Sequence, residues 1–202
     1  GVAYVYLEPF MEIEKYYPVI KKFHEHGVYQ HLYTNGLLAT EETLKALGEA
    51  GLDEIRFNLG ASNCNDRVIE NMAIAKKYIK AVGIETPMTP EFFEGFFKKK
   101  EAILGTGFDF INCAELHLNP NNIDNYAGES MYLCRHGYIS PIWSRELTLK
   151  FMKIADDEGW DIAVHDCSNY TKFARGLNQS AKEGKWFGSN DYGCEFDAFP
   201  FE

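Results

Sequence analysis

Apolar, strand-like runs alternate with amphipathic, helix-like runs along most of the chain, and this alternation limits the fold more than any other feature. The predicted strands cover residues 2–7, 28–33, 54–59, 81–86, 109–116 and 160–165. The predicted helices cover residues 11–26, 41–50, 65–79, 91–104 and 144–158. Several strands are almost continuously apolar, as in parallel sheets that helices cover. The pattern predicts an α/β fold made of right-handed βαβ units.

Two architectures are built from such units, the open doubly wound sheet and the TIM-type (β/α) barrel. Six strands are too few for an eight-stranded barrel. We therefore predict a parallel, partial (β/α) barrel with six strands that is incomplete at the N-terminus. Residues 1–176 are assigned to this partial barrel, and residues 177–202 to a C-terminal tail that forms a lid or a loosely packed segment.

Helix ends are marked in the sequence at two places. Thr40 precedes EETLKALGEAG, which predicts an N-cap at Thr40 and a helix end at Gly51. Ser144 likewise predicts the start of the helix that ends before Gly159. The run EFFEGFF at 91–97 places its four phenylalanines on one helix face, which predicts a core contact.

Composition disfavours several classes of function. A net charge of −10 disfavours a nucleic-acid partner, because phosphate binding needs a positive surface. No apolar run is long enough to span a bilayer and no signal-peptide pattern opens the chain, so we predict a cytoplasmic protein without a membrane partner. The five cysteines form no C-x-x-C pair, which disfavours a zinc ribbon or a disulfide scaffold.

Polar side chains occur where the predicted strands end, and ligands bind at these ends in both architectures. In chain order they are Glu8-Pro9, Thr34-Asn35-Gly36, Asn58 with Ser62 and Asn63, Glu85-Thr86, Glu115 with His117 and Asn119, and His165-Asp166. Thr34-Asn35-Gly36 is explained equally well as a strand-to-helix turn with no ligand. His165-Asp166 is explained equally well as a hydrogen-bonded structural pair. Their common position at six strand ends nevertheless predicts a pocket for a polar ligand.

Four segments in this order resemble the core of radical S-adenosylmethionine (radical SAM) enzymes. They are YLEPF at 6–10, HLYTNGLLATEETLKALGEAGLDEIRFNL at 31–59, GIETPMTPEFFEGFFKKKEAIL at 83–104 and INCAELHLNP at 111–120. The resemblance runs from residue 2 to residue 120 and continues more weakly to residue 176. In that family a Gly-Gly-Glu-Pro segment binds the amino group of S-adenosylmethionine (SAM). This chain keeps Glu8-Pro9 and loses both glycines, so Leu7 brings a side chain where glycine has none.

The resemblance implies cofactor-binding roles for ten residues, and it names no catalytic residue. Glu8 and Pro9 would lie at the methionine end of SAM. The other implied positions are Thr34 and Asn35 near the reacting carbon, Asn58 and Ser62 near the ribose, Glu85 on the fifth family strand, and Glu115, His117 and Leu118 on the sixth, where adenine packs.

The family's C-x-x-x-C-x-x-C loop, which holds a [4Fe–4S] cluster, precedes the Glu-Pro strand, and no cysteine here has that spacing. We therefore expect an N-terminal truncation that leaves this chain inactive, with natural loss of the cluster as the alternative. Pairing with a second copy would cover the strand edge left exposed.

The full-length protein would cleave SAM reductively at the cluster and start radical chemistry on an unknown substrate. That substrate is a peptide, a protein or a small molecule, and the resemblance implies flavodoxin or ferredoxin as electron donor.

Two other functions fit the same barrel. Glu8, Glu115, His117, His165 and Asp166 could chelate a divalent metal, as in sugar isomerases and epimerases of the (β/α)-barrel type. A binding or scaffold module without catalysis is the third hypothesis, and it predicts no ordered ligand at the strand ends.

Overall fold

The computed structural model describes residues 1–5, 7–133, 139–169 and 171. The predicted tail at 177–202 lies outside the described residues, as do Tyr6, Cys134 and Cys194. The strands are β1 (Val2–Tyr4), β2 (Gln30–Thr34), β3 (Glu54–Phe57), β4 (Ala81–Pro87), β5 (Phe110–Ala114), β6 (Met131–Leu133), β7 (Ile139–Pro141) and β8 (Ala163–Cys167). The helices are α1 (Tyr17–Glu25), α2 (Glu41–Ala50), α3 (Asp66–Ala75), α4 (Pro90–Lys98), α5 (Lys100–Leu104) and α6 (Ile142–Asp157).

Six strands form one parallel sheet in the order β1-β2-β3-β4-β5-β8. The spatial order follows the chain order, whereas a doubly wound sheet reverses its order at a switch point. Right-handed crossovers between strands that follow one another in this way place the helices on one face of the sheet. The arrangement confirms the predicted α/β fold with a partial (β/α) barrel of six strands.

Only one of the five predicted helices, 41–50, has the predicted bounds; the helix predicted over 65–79 ends at Ala75, and two others differ for a clear local reason. The helix predicted over 91–104 is divided into α4 and α5, because Lys99 leaves the helical conformation with a φ of −119°. The helix predicted over 11–26 begins only at Tyr17, where Pro18 in the first turn favours a helix start. Two short 3-10 helices, Pro9–Met11 and Ile13–Lys15, precede it.

The predicted helix ends agree with the structure at both ends of α2 and at the C-terminal end of α6, which stops at Asp157, before Gly159; the predicted start of α6 differs. The Thr40 side chain accepts a hydrogen bond from the Thr43 amide, and Gly51 ends α2 with a φ of 93°. Ser144 is not an N-cap, because α6 begins at Ile142 and Ser144 lies inside it. Its hydroxyl donates to the Met88 carbonyl (2.9 Å) and accepts from the Leu116 amide (3.0 Å), so it joins the ends of β4 and β5.

Aromatic rings fill the contact between α4 and α6. Phe92 and Phe96 are buried, and Phe96 lies 4.8 Å from Phe151 and 5.6 Å from Trp160, measured between ring centroids. The core contact predicted for EFFEGFF is therefore confirmed. Between β5 and α6 the chain forms the antiparallel pair β6–β7.

Candidate functional site

A cavity of about 640 Å³ lies at the carboxyl ends of the parallel strands. Side chains from the ends of β1, β2, β3 and β4 form most of its wall. The lining residues are Leu7, Glu8, Met11, Tyr33, Thr34, Asn35, Asn58, Glu85, Thr86, Pro87 and Ala114. Five of the ten predicted cofactor-binding residues are among them: Glu8, Thr34, Asn35, Asn58 and Glu85.

The Glu8 carboxylate ties the end of β1 to the end of β2. Its Oε1 accepts hydrogen bonds from the Thr34 hydroxyl (2.7 Å) and the Phe10 amide (3.2 Å), and its Oε2 accepts from the Asn35 amide (2.7 Å). A carboxylate offers about four acceptor positions, and these bonds occupy three of them at Glu8. The structure thus gives Glu8 a function in holding the two loops together.

Gly36 lets the chain turn away from the cavity directly after Asn35. Its φ is 76°, and a Cβ atom there would lie 2.7 Å from Val68 and 2.8 Å from Phe57. Both the conformation and the lack of space require glycine. The turn is held by the Thr34 hydroxyl, which accepts a hydrogen bond from the Gly36 amide (2.9 Å). Thr34-Asn35-Gly36 is therefore a strand-to-helix turn that also lines the cavity.

Thr86 supplies a hydroxyl without a hydrogen-bond partner among the described residues. The side chain is 1% exposed and lines the cavity. A Cβ atom on Gly60 would lie only 2.3 Å from Thr86 Oγ1, so glycine is needed for the loop after β3 to approach this hydroxyl. Asn58 lies in the same wall, and its Oδ1 accepts from the Ala61 amide (3.0 Å).

A charged network lies on the face of the sheet opposite to the helices, which we call the open face. Arg56 Nη1 donates to the Tyr33 hydroxyl (2.8 Å) and to Glu85 Oε2 (2.9 Å), and Arg56 Nε is paired with Glu54. Asn112 Nδ2 donates to the same Glu85 oxygen (2.5 Å). Burial raises the pKa of Tyr33, and the Glu85 charge adds to the effect, so the phenol stays protonated.

Sequence reasoning missed the role of Arg56, although one signal was available. Glu54 and Arg56 are charged residues two positions apart in a strand that is otherwise apolar. Residues two positions apart share a face of the sheet, so this spacing places both charges on one face.

The remaining predicted cofactor-binding residues lie outside the cavity wall. Pro9 is buried at the start of the first 3-10 helix, and the Ser62 hydroxyl donates to the Leu59 carbonyl (3.0 Å). Leu118 is buried, and its amide donates to the Ile139 carbonyl (2.9 Å) in the β7 strand.

Glu115 and His117 connect the end of β5 to the segment after β8. Glu115 Oε2 accepts a hydrogen bond from the Asn169 amide (2.7 Å), and His117 Nε2 is hydrogen-bonded to the Asn169 side chain. Asp166, another candidate metal ligand, is paired with Arg145 at 2.7 Å. Within the described part of the chain, no three His, Cys, Asp or Glu side chains are grouped so as to hold a metal ion. The five ligands of the isomerase hypothesis therefore do not come together.

The cysteines that the structure describes do not fit a [4Fe–4S] cluster. Cys64 and Cys113 are buried, and Cys167 is half-buried on a separate strand. Burial raises the pKa of Cys64 to about 11 and raises the pKa of Cys113 further, which disfavours the thiolate that iron requires.

None of the described helices is long and apolar enough to cross a membrane.

The chain is similar in sequence to a protein of Methanocaldococcus jannaschii and in fold to a solved domain structure. The relative is a Methanocaldococcus jannaschii protein named "Putative glycyl-radical enzyme activating enzyme", which is 38% identical over 109 residues. That match covers 50% of this chain and 28% of the relative. The solved structure is a domain of pyruvate-formate lyase-activating enzyme from Bacteroides vulgatus, with a TM-score of 0.57 and 16% identity. It covers 81% of this chain and 98% of the domain.

The resemblance to a radical SAM core domain is confirmed. No family model matches the chain. The sequence match supports homology to an activating enzyme, and the structural match shows the fold alone. The cavity lies where the strand-end residues converge, and the chain supplies its wall from β1 to β5.

Proposed function

We propose that the cavity binds SAM and that this chain is the cofactor-binding core of a radical enzyme. The observation that carries the proposal is the hydrogen-bonded unit of Glu8, Thr34 and Asn35 in the cavity wall. It joins the two segments on which the family resemblance chiefly rests. The charged side chains among the described residues of the wall are both acids, Glu8 and Glu85, which suits a ligand that carries a sulfonium and an ammonium group.

The residues of the cavity wall then have distinct roles in binding SAM. Glu8 fixes the loops after β1 and β2, and so shapes the methionine end of the site. Asn58 and Thr86 present an amide and a hydroxyl, which are suited to the ribose hydroxyls of the nucleoside. Gly60 permits the close approach of the loop to Thr86. A buried hydroxyl without a partner costs free energy, so a ligand hydroxyl that bonds to Thr86 is favoured.

The cluster is proposed to be bound by cysteines of a segment outside this sequence. When bound, a [4Fe–4S] cluster supplies the electron that cleaves SAM. The described cysteines of this chain do not fit such a cluster. A C-x-x-x-C-x-x-C motif in the parent gene upstream of the codon for Gly1 would support this proposal, and its absence would count against it.

We further propose a protein as the substrate, in the cytoplasm, with flavodoxin or ferredoxin as electron donor. The relative is named for activating a glycyl-radical enzyme, and the structural neighbour for activating pyruvate-formate lyase. Both names denote protein targets. A peptide or a small molecule would be the substrate only if no protein partner is modified.

Isothermal titration with SAM tests the core of the proposal. We expect Asn58→Ala to weaken SAM binding roughly tenfold, because one hydrogen bond contributes about 1 kcal/mol and the truncated site loses packing as well. Asn125→Ala is the matched control, since Asn125 is exposed and distant in sequence from the cavity wall. Wild-type protein that does not bind SAM, or an Asn58→Ala variant that binds it as tightly as wild type, would contradict the proposal.

A further inference from the structure

The two acids in the cavity wall differ in how their oxygens are used. Both oxygens of Glu8 accept hydrogen bonds from the protein, from Phe10, Thr34 and Asn35. At Glu85 the two donors, Arg56 and Asn112, both bind Oε2. No described residue donates to Glu85 Oε1. Glu85 is therefore the acid in this wall with a whole oxygen available to a ligand.

The Glu85 carboxylate is held rigidly from the open face. Its side chain is 21% exposed, and Arg56, on the neighbouring strand, is 19% exposed. The Arg56 guanidinium is itself fixed, because it is paired with Glu54 and lies over the rings of Tyr33 (5.1 Å) and Phe110 (5.5 Å). A carboxylate whose one oxygen is bound by two donors cannot rotate freely, so the other oxygen keeps a fixed direction.

The local charge remains negative although Arg56 is present. Arg56 contributes one positive charge, while Glu54 and Glu85 contribute two negative charges. Glu8 adds another negative charge to the same cavity. Among the described residues that line the wall, none is Lys or Arg. A positive group of the ligand is therefore attracted to this side of the cavity, and Glu85 Oε1 is the available partner.

We propose that Glu85 contacts the sulfonium of the bound ligand, and that Arg56 is the positioning residue that holds Glu85 in place. The inference rests on the proposed SAM site, and it assigns to Glu85 the discrimination between a charged and an uncharged ligand. Glu8, by contrast, has both oxygens bound by protein donors, so it chiefly shapes the cavity.

Two ligands that differ at the sulfur test the assignment. SAM carries a methylated sulfonium, and S-adenosylhomocysteine is the thioether that lacks this methyl group and its positive charge. Titration of the purified protein with each ligand gives the ratio of their dissociation constants. We expect wild type to prefer SAM by about tenfold, the ratio that a half-buried charge pair of about 1.4 kcal/mol provides. In Glu85→Gln the ratio falls to about one, while the affinity for S-adenosylhomocysteine stays within about twofold of wild type.

Glu91→Gln is the matched control. Glu91 is an exposed acid in the first turn of α4, so the substitution makes the same change in net charge outside the cavity wall. We expect Glu91→Gln to keep the wild-type preference. Arg56→Lys retains the charge but loses the planar guanidinium, whose Nη1 binds Glu85 and Tyr33 while its Nε binds Glu54. We expect it to reduce the preference without changing the affinity for S-adenosylhomocysteine.

The outcomes separate this inference from the proposed function. A Glu85→Gln variant that still prefers SAM as wild type does would overturn the role of Glu85 alone. Equal weakening of both ligands would also overturn it, because Glu85 would then act on the shape of the site and not on its charge. If Arg56→Lys weakens both ligands equally, the positioning role is refuted. Wild-type protein that binds neither ligand would refute the proposed function together with this inference.

Discussion

Leu7 has a backbone conformation that favours glycine, and Leu7→Gly is therefore expected to stabilise the protein. Its φ is 50°, in the left-handed region, and its side chain is 81% exposed. A non-glycine residue in this region costs about 1–2 kcal/mol. Glycine removes that cost but makes the unfolded chain more flexible, which costs about 0.4–1 kcal/mol. The free energy of unfolding should thus increase by up to about 1.5 kcal/mol.

Leu38→Gly is the matched control for this prediction. Leu38 is also an exposed leucine in a loop at the cavity side of the sheet, at 51% exposure, and it is not among the residues with positive φ. Only the flexibility cost applies there, so Leu38→Gly should destabilise the protein by about 0.4–1 kcal/mol. Urea unfolding of both variants measures the difference. If Leu7→Gly destabilises the protein as much as Leu38→Gly does, the argument from backbone strain is wrong.

Three further predictions concern other parts of the described chain. Phe96→Ala should lower the free energy of unfolding by about 3–5 kcal/mol in urea titrations, because it opens a cavity in the aromatic core, and a loss below about 1 kcal/mol would contradict the packing. Burial, and secondarily the Arg56 charge, lower the pKa of His31, so the folded protein binds fewer protons than the unfolded chain near pH 6.5. Stability should fall as pH drops through that range, and thermal unfolding of His31→Gln should show a shallower pH dependence. Cys64, with a pKa raised to about 11 by burial, should be alkylated at neutral pH far more slowly than half-buried Cys167, as followed by peptide mass spectrometry.

Local signals in the sequence were sufficient to predict where a helix begins and ends when the residues that cap it lie next to it in the chain. Thr40 and Gly51 bound α2 as predicted, because capping requires only residues within one helical turn. Ser144 shows the limit of the same reasoning. Its hydroxyl bonds to Met88 and Leu116, which are distant in sequence, so it serves β4 and β5 and not the helix end.

The candidate site was predicted in part. Glu8, Thr34, Asn35, Asn58 and Glu85 line one cavity, as expected for residues at the carboxyl ends of parallel strands. Glu115 and His117 also follow a strand, but they bond to Asn169 instead. The position of a residue at a strand end predicts at which edge of the sheet the residue lies. The direction of its side chain depends on its tertiary partners.

The sequence by itself determined the βαβ repeat, the parallel sheet and the edge at which polar residues meet, because periodicity and turn residues act over short distances. Only the tertiary structure decided how the two cavity acids are used. Three protein donors occupy Glu8, while Arg56 and Asn112 bind one oxygen of Glu85 and leave the other available. Apart from the local bond from Phe10 to Glu8, these contacts join segments more than 20 positions apart in the sequence, and they form only when the sheet sets its register.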